Sequence, residues 1–157
     1  IADGDQMVPS DVFNYLVSTA CMHCEKPICM EVCPASAISK REDGIVVIDP
    51  NACIGCRLCS WACPYGAPQF NEEASVMTKC DMCVELQAQG EKPACVDACP
   101  YRVLEFGELE ELKAKHGELN NPAPMPDPSL TNPSIVYSPH KDTRTSLSGG
   151  GQVLNID

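Results

Sequence analysis

Aromatic side chains are scarce in this chain of 157 residues: one Trp, three Phe and four Tyr. A domain so short of bulky core residues needs staples, and metals or disulfides are the usual ones. Positive charge is also short, with 11 Lys and Arg against 22 Asp and Glu, giving a formal net charge of −11. That balance excludes the concentrated basic face of a nucleic-acid-binding protein and disfavours a polybasic membrane patch. No apolar run approaches the roughly 20 residues needed to cross a bilayer. No signal-peptide pattern opens the sequence. There is no Ser/His/Asp set, no paired-carboxylate pocket, no phosphate loop and no dinucleotide fingerprint, so the sequence offers no substrate chemistry of its own.

Cysteine is what the sequence has in excess: 12 residues, in an internal repeat. Cys-x-x-x-Cys-Pro occurs three times, as Cys29–Cys33–Pro34, Cys59–Cys63–Pro64 and Cys95–Cys99–Pro100. A Cys-x-x-Cys pair precedes each: Cys21/Cys24, Cys53/Cys56 and Cys80/Cys83. The gap between the pair and the third cysteine differs in each copy, as expected of insertions into one loop.

The run Cys53-Ile-Gly-Cys56-Arg-Leu-Cys59-Ser-Trp-Ala-Cys63-Pro64 has the spacing of bacterial ferredoxins. Three close thiolates wrap one [4Fe–4S] cubane, and the fourth, before Pro, ligates the other cluster of a pair. Cys21, Cys24, Cys29 and Cys33 repeat the motif with two extra residues. Crossed ligation then predicts one cluster on Cys21, Cys24, Cys29 and Cys63, and a second on Cys53, Cys56, Cys59 and Cys33. Cys80, Cys83 and Cys95 predict a third cluster that lacks a fourth ligand, with Cys99 reaching to the cluster of a missing partner motif. An odd motif count in a chain starting at Ile1 implies a fourth motif upstream. Two other readings remain: a zinc module on Cys80, Cys83, Cys95 and Cys99, and a disulfide scaffold, which the Cys-Pro repeats do not call for.

Smaller signals surround the ligands. Gly55 fits a tight wrap in which a side chain would crowd the sulfides. His23 lies inside the first wrap, but clusters of this type are cysteine-held, so it is expected to hydrogen-bond or pack. Trp61, Tyr65 and Tyr101 flank ligands and are candidates for shielding or for core packing. Arg57 and Lys79 are candidates for raising a reduction potential, or are solvated charges.

The fold expected is α+β, a ferredoxin-like cluster-binding domain or domains with short strands, short helices and long loops, plus an extended C-terminal tail. Residues 1–20 are an entry strand, centred on Val12–Ala20; 21–79 form a two-cluster half; 80–119 form part of a second half; and 120–157 are a Pro-rich tail. Hairpins are expected from Ala37–Lys40 with Ile45–Ile48, and from Gln69–Asn71 with Val76–Lys79. Helices are expected over Met82–Gln89 and Glu108–His116, each stopped by glycine. Six of the 14 prolines fall after Asn120. Such a tail cannot fold alone and must be held by the domain's own surface or by a partner.

Several further stretches resemble one family: Lys40–Gly44, Cys53–Arg57, Ala62–Asn71, Met77–Asp81, Lys92–Pro100, Glu111–Gly117 and Asn132–Val136. They are similar to the four-cluster electron-transfer subunits of molybdopterin oxidoreductases, of the anaerobic dimethyl sulfoxide reductase type. The resemblance implies four [4Fe–4S] clusters in two ferredoxin-like halves and a relay of single electrons. The partners it implies are a quinol-binding integral membrane anchor and a molybdopterin catalytic subunit. It implies that the first motif, upstream of the region matching Ile1, pairs with Cys80–Cys99, and that Cys99 ligates the cluster nearest the molybdenum subunit. Some relatives replace one cysteine of the Cys53 group with Trp and hold a three-iron cluster; here all four are Cys, so cubanes are expected. The implied location is a peripheral subunit of an inner-membrane complex, assembled in the cytoplasm and facing the periplasm. The alternatives are a stand-alone ferredoxin-like carrier and a structural zinc module.

Overall fold

The computed structural model describes residues 2–3, 6–7, 16–141 and 143. Its regular elements are short, as a chain folding around many closely spaced cysteines requires. Strands β1 (Ala2–Asp3) and β2 (Gln6–Met7) pair antiparallel. Then follow helix α1 (Ile28–Glu31), strands β3 (Ile38–Lys40) and β4 (Val46–Ile48), helix α2 (Leu58–Ala62), and strands β5 (Gln69–Asn71) and β6 (Val76–Thr78). Helices α3 (Val84–Ala88), α4 (Ala94–Ala98) and α5 (Leu109–His116) complete the chain up to a 3-10 turn at Pro128–Leu130.

Each Cys-Pro motif is followed by a hairpin in the first two copies. β3 and β4 pair Ile38 with Ile48 and Lys40 with Val46. The reversal closes through Arg41 N–H to Ile45 O at 2.9 Å, with Gly44 at φ +81° where a side chain would be strained. β5 and β6 pair Gln69 with Thr78 and Asn71 with Val76. There the Asn71 side chain accepts from Ala74 N–H at 3.1 Å, the local bond that favours Asn in turns. Both hairpins stand within one residue of the expected bounds. Helices α3 and α5 fall inside the predicted segments, with Gly90 and Gly117 at positive φ after them.

The sequence periodicity gives no sign of helices α1, α2 and α4. Each carries the third cysteine of a motif and ends at or just before the fourth, and four or five residues are too few to show a helical period. The expected entry strand is not found over residues 16–20, which are irregular, and residues 12–15 lie outside the described residues.

α1 packs on α2 and on β3. The core between them is small: Cys29, Ile38, Val46, Cys59 and Met77 are buried, with Cys33, Ile48, Cys53 and Phe70 packed against them. Four of these nine are cysteines, so the apolar centre and the thiol sites share the same space.

Residues 131–134 of the expected tail lie on the first cysteine wrap, and residues 142 and 144–157 lie outside the described residues. Glu25 N–H donates to Asn132 O at 2.8 Å, Lys26 N–H to Thr131 O at 2.9 Å, and Ser134 N–H to Met22 O at 3.0 Å. Tyr137 N–H reaches Leu119 O at 2.7 Å. Of the two supports a Pro-rich segment can use, the domain's own surface holds this part.

Candidate iron–sulfur centres

The repeat folds so that thiols from the two motifs face each other. One hollow is walled by Cys21, Cys24, Cys29 and Cys63. Met22, His23, Pro27, Val46, Tyr65 and Thr131 close it. A second hollow is walled by Cys33, Cys53, Cys56 and Cys59, with Ile38, Ile48, Ile54 and Met77 around them. In both, three thiols come from one motif and the fourth from the other. The crossing arises because α1 and α2 pack side by side, so the cysteine that follows each helix reaches the other motif's wrap.

These donor sets suit a cluster rather than a single ion. Among the described residues no three His, Cys, Asp or Glu side chains converge on one point. Four thiols instead surround an extended, largely apolar space, as a cubane's four corner irons require. All twelve cysteines are free thiols, so no disulfide competes for them. Backbone donors are aimed at two of these cysteine sulfurs: Ala37 N–H at Cys33 Sγ and Met77 N–H at Cys53 Sγ, both 3.3 Å. Such bonds stabilise thiolate and raise a cluster's reduction potential.

Burial disfavours the charged form of three of these thiols. Burial pushes the Cys29 thiol up to about 11, Cys21 adding to the shift and the Lys79 ammonium opposing it. Burial likewise raises Cys24, against a side-chain hydrogen bond from Thr131, and raises Cys59 with Cys56 adding. Crowded, desolvated thiols resist ionisation until a metal supplies compensating charge.

The third group is less enclosed. Cys80 follows β6 and accepts from Met82 N–H at 3.5 Å; Cys83 caps α3 at φ +53°; Cys95 lies on α4 and Cys99 ends it. None of the four lines either hollow. Burial raises the Cys80 thiol, the Met82 backbone N–H opposing the shift and Cys21 adding to it. Backbone N–H groups of Val103, Leu104, Tyr101 and Arg102 hold the Cys99 thiol below its ordinary value. That loop favours a thiolate at Cys99 without any cationic side chain.

Other residues differ from expectation. Trp61 is 81% exposed and Tyr101 85%, so neither shields a ligand within this chain. Tyr65 does face the first hollow, and its hydroxyl pairs with Thr131 Oγ1 at 2.9 Å. Arg57 stacks 3.9 Å from the centroid of the Phe70 ring. Lys79 lines the first hollow while its ammonium donates to Val46 O and to Cys80 O. A Cβ at Gly55 would stand 2.5 Å from Ser75 O, so the hairpin as well calls for glycine there. Thr131 carries no local signal in the sequence, being a lone Thr among prolines; only the tail's path reveals it.

Paired four-thiol hollows built from a duplicated motif define a dicluster iron–sulfur protein, and the 4Fe-4S dicluster domain family matches residues 12–109. The B subunit of the anaerobic dimethyl sulfoxide reductase of Escherichia coli is 50% identical over 145 residues, covering 92% of this chain and 71% of that protein. The B subunit of the sulfite dehydrogenase of Allochromatium vinosum is 40% identical over 139 residues, covering 82% of this chain and 58% of that one. The B subunit of the polysulfide reductase of Wolinella succinogenes is 38% identical over 133 residues, covering 82% and 69%. This protein belongs to the family of iron–sulfur B subunits of anaerobic reductases, whose 4Fe-4S domain serves electron transfer.

Proposed function

We propose that this chain is the non-catalytic relay of a reductase complex, passing single electrons from a quinol-oxidising membrane anchor to a molybdopterin subunit of the dimethyl sulfoxide reductase type. When bound, [4Fe–4S] clusters supply one-electron sites with potentials adjustable over roughly −700 to +450 mV. The protein's part is to hold them, keep water away and tune them. Cys21, Cys24, Cys29 and Cys63 would hold one cluster, and Cys33, Cys53, Cys56 and Cys59 the second. Cys80, Cys83 and Cys95 would hold a third, completed by a thiolate outside the twelve, and Cys99 would serve a fourth. Residues 21–79 then act as one ferredoxin-like half and 80–119 as part of another, with the tail strapping the first.

The observation that carries this reading is the crossed grouping of four thiols around each of two hollows. No helix among the described residues is long and apolar enough to cross a membrane, which agrees with a peripheral subunit held by an anchor. Assembly belongs in the cytoplasm, where thiols stay reduced, and the family's habit favours the periplasmic face for the finished complex.

Serine substitution tests the crossing. Cys63→Ser is expected to alter the same electron paramagnetic resonance signal as Cys21→Ser, and Cys33→Ser the same signal as Cys53→Ser. If Cys33→Ser instead tracks Cys21→Ser, the ligands are not crossed and the assignment fails. Iron analysis of the full-length protein is expected to give about sixteen irons for four cubanes; about eight would leave the Cys80–Cys99 group empty and break the relay.

A further inference from the structure

His23 stands between two ligands of the first hollow, at φ +42° and only 2% exposed. Its Nδ1 accepts a hydrogen bond from Val46 N–H at 3.0 Å. A backbone N–H can only donate, so Nδ1 must present its lone pair. The single proton of the neutral ring therefore sits on Nε2.

The hairpin register enforces this tautomer. Val46 opens β4 opposite Lys40, and its outward N–H and C=O are taken by His23 and by the Lys79 ammonium. The imidazole is thus held by a rigid strand and cannot turn its other nitrogen toward Val46 without losing that bond.

Nε2 itself is buried and has no hydrogen-bond partner among the described residues. A buried donor left without an acceptor is destabilising. The ring borders two spaces. One is the wide cavity that also meets Gln87, Glu105 and His116, none of which bonds to Nε2. The other is the hollow of Cys21, Cys24, Cys29 and Cys63. The acceptors that belong in the second space are sulfurs.

We propose that His23 Nε2–H donates a hydrogen bond to a sulfur of the cluster held by Cys21, Cys24, Cys29 and Cys63, and thereby raises that cluster's reduction potential. This rests on the ligand reading above. The direction follows from charge: reduction adds an electron to the cluster, and a donor aimed at its sulfur favours the more negative state. His23 is a tuning residue and not a ligand.

The test uses the assembled complex with its full-length chain, comparing the parent with His23→Phe and His23→Gln. Iron and sulfide are measured first, then each cluster's midpoint by redox titration followed by electron paramagnetic resonance. His23→Phe is expected to disfavour reduction of one cluster about tenfold, a fall of about 59 mV for a one-electron couple. The shifted signal must be the one that Cys63→Ser alters. His23→Gln, which keeps an N–H donor, is expected to recover at least half of the shift. Unchanged midpoints in His23→Phe at full iron content would overturn the proposal and leave the ring a packing element. If His23→Phe loses iron, pulsed resonance on the parent complex grown with ¹⁵N-histidine decides: nitrogen coupling to that reduced cluster supports the bond, and its absence overturns it. Should Cys21→Ser and Cys63→Ser alter different signals, the ligand reading itself fails, whatever the histidine variants do.

Discussion

Gly55 is at φ +68°, and a methyl group added there would meet Ser75 O at 2.5 Å and Phe70 Cε2 at 3.2 Å. Ser75 belongs to the β5–β6 turn, so the glycine lets the second cysteine wrap settle against that hairpin. Both the backbone conformation and the contact oppose a side chain. Gly55→Ala is expected to destabilise the holoprotein by more than about 1 kcal/mol. It should also lower iron bound in the Cys53 group, as read by denaturant titration and iron analysis of the same sample. Arg57, two residues on, shows how a charge next to a ligand can be used otherwise than for tuning: its guanidinium lies over Phe70, which packs on the core. A cation over an aromatic face contributes about 0.5–1 kcal/mol at exposed sites. The small spacing of such residues along the chain says nothing about which partner they choose.

At the scale of elements, the tail and the first wrap depend on each other. The turn at Pro128–Leu130 is capped by the Asp127 carboxylate, which accepts from Ser129 N–H at 2.9 Å. It delivers Thr131, 1% exposed, to the Tyr65 hydroxyl beside the first hollow. A double-mutant cycle on Tyr65→Phe and Thr131→Val is expected to give a coupling of about 0.5–1.5 kcal/mol. Additive effects would mean the pair is incidental. Thr131→Ser, which keeps the hydroxyl, is expected to retain most of the coupling. Helices α1 and α2 make the same point from inside the repeat. Neither is long enough to stand alone, and each is held by its cysteine in the core and by packing on the other.

For the whole molecule, the small core sets the behaviour. Five buried residues centre it, two of them cysteine, and two thiol-walled hollows adjoin it. Hydrophobic burial alone cannot hold a domain organised this way, and metal binding becomes folding free energy. Stripping iron and sulfide under reducing conditions is expected to abolish the cooperative thermal transition and near-ultraviolet dichroism, and to expand the particle in small-angle scattering. Retention of a sharp transition would show a core that stands without clusters. The acidic net charge of −11 leaves the surface free of any strong anion-binding field, in keeping with a chain whose chemistry lies in its interior.

Cysteine spacing made the thiol groups legible before any fold was known, because ligation of a cubane demands a fixed local geometry that few sequences meet by chance. The two hairpins were legible too: β-branched runs around Arg41–Gly44 and Glu72–Ala74 carry their turn chemistry locally. What needed the tertiary structure was everything set by contacts distant along the chain. Thr131 meets Tyr65 across 66 residues, and Val46 fixes the proton of His23 across 23. Trp61 and Tyr101 have the composition of core residues, yet the fold leaves them at the surface. A residue's type limits which bonds it can make; the path of the chain decides which partner is within reach.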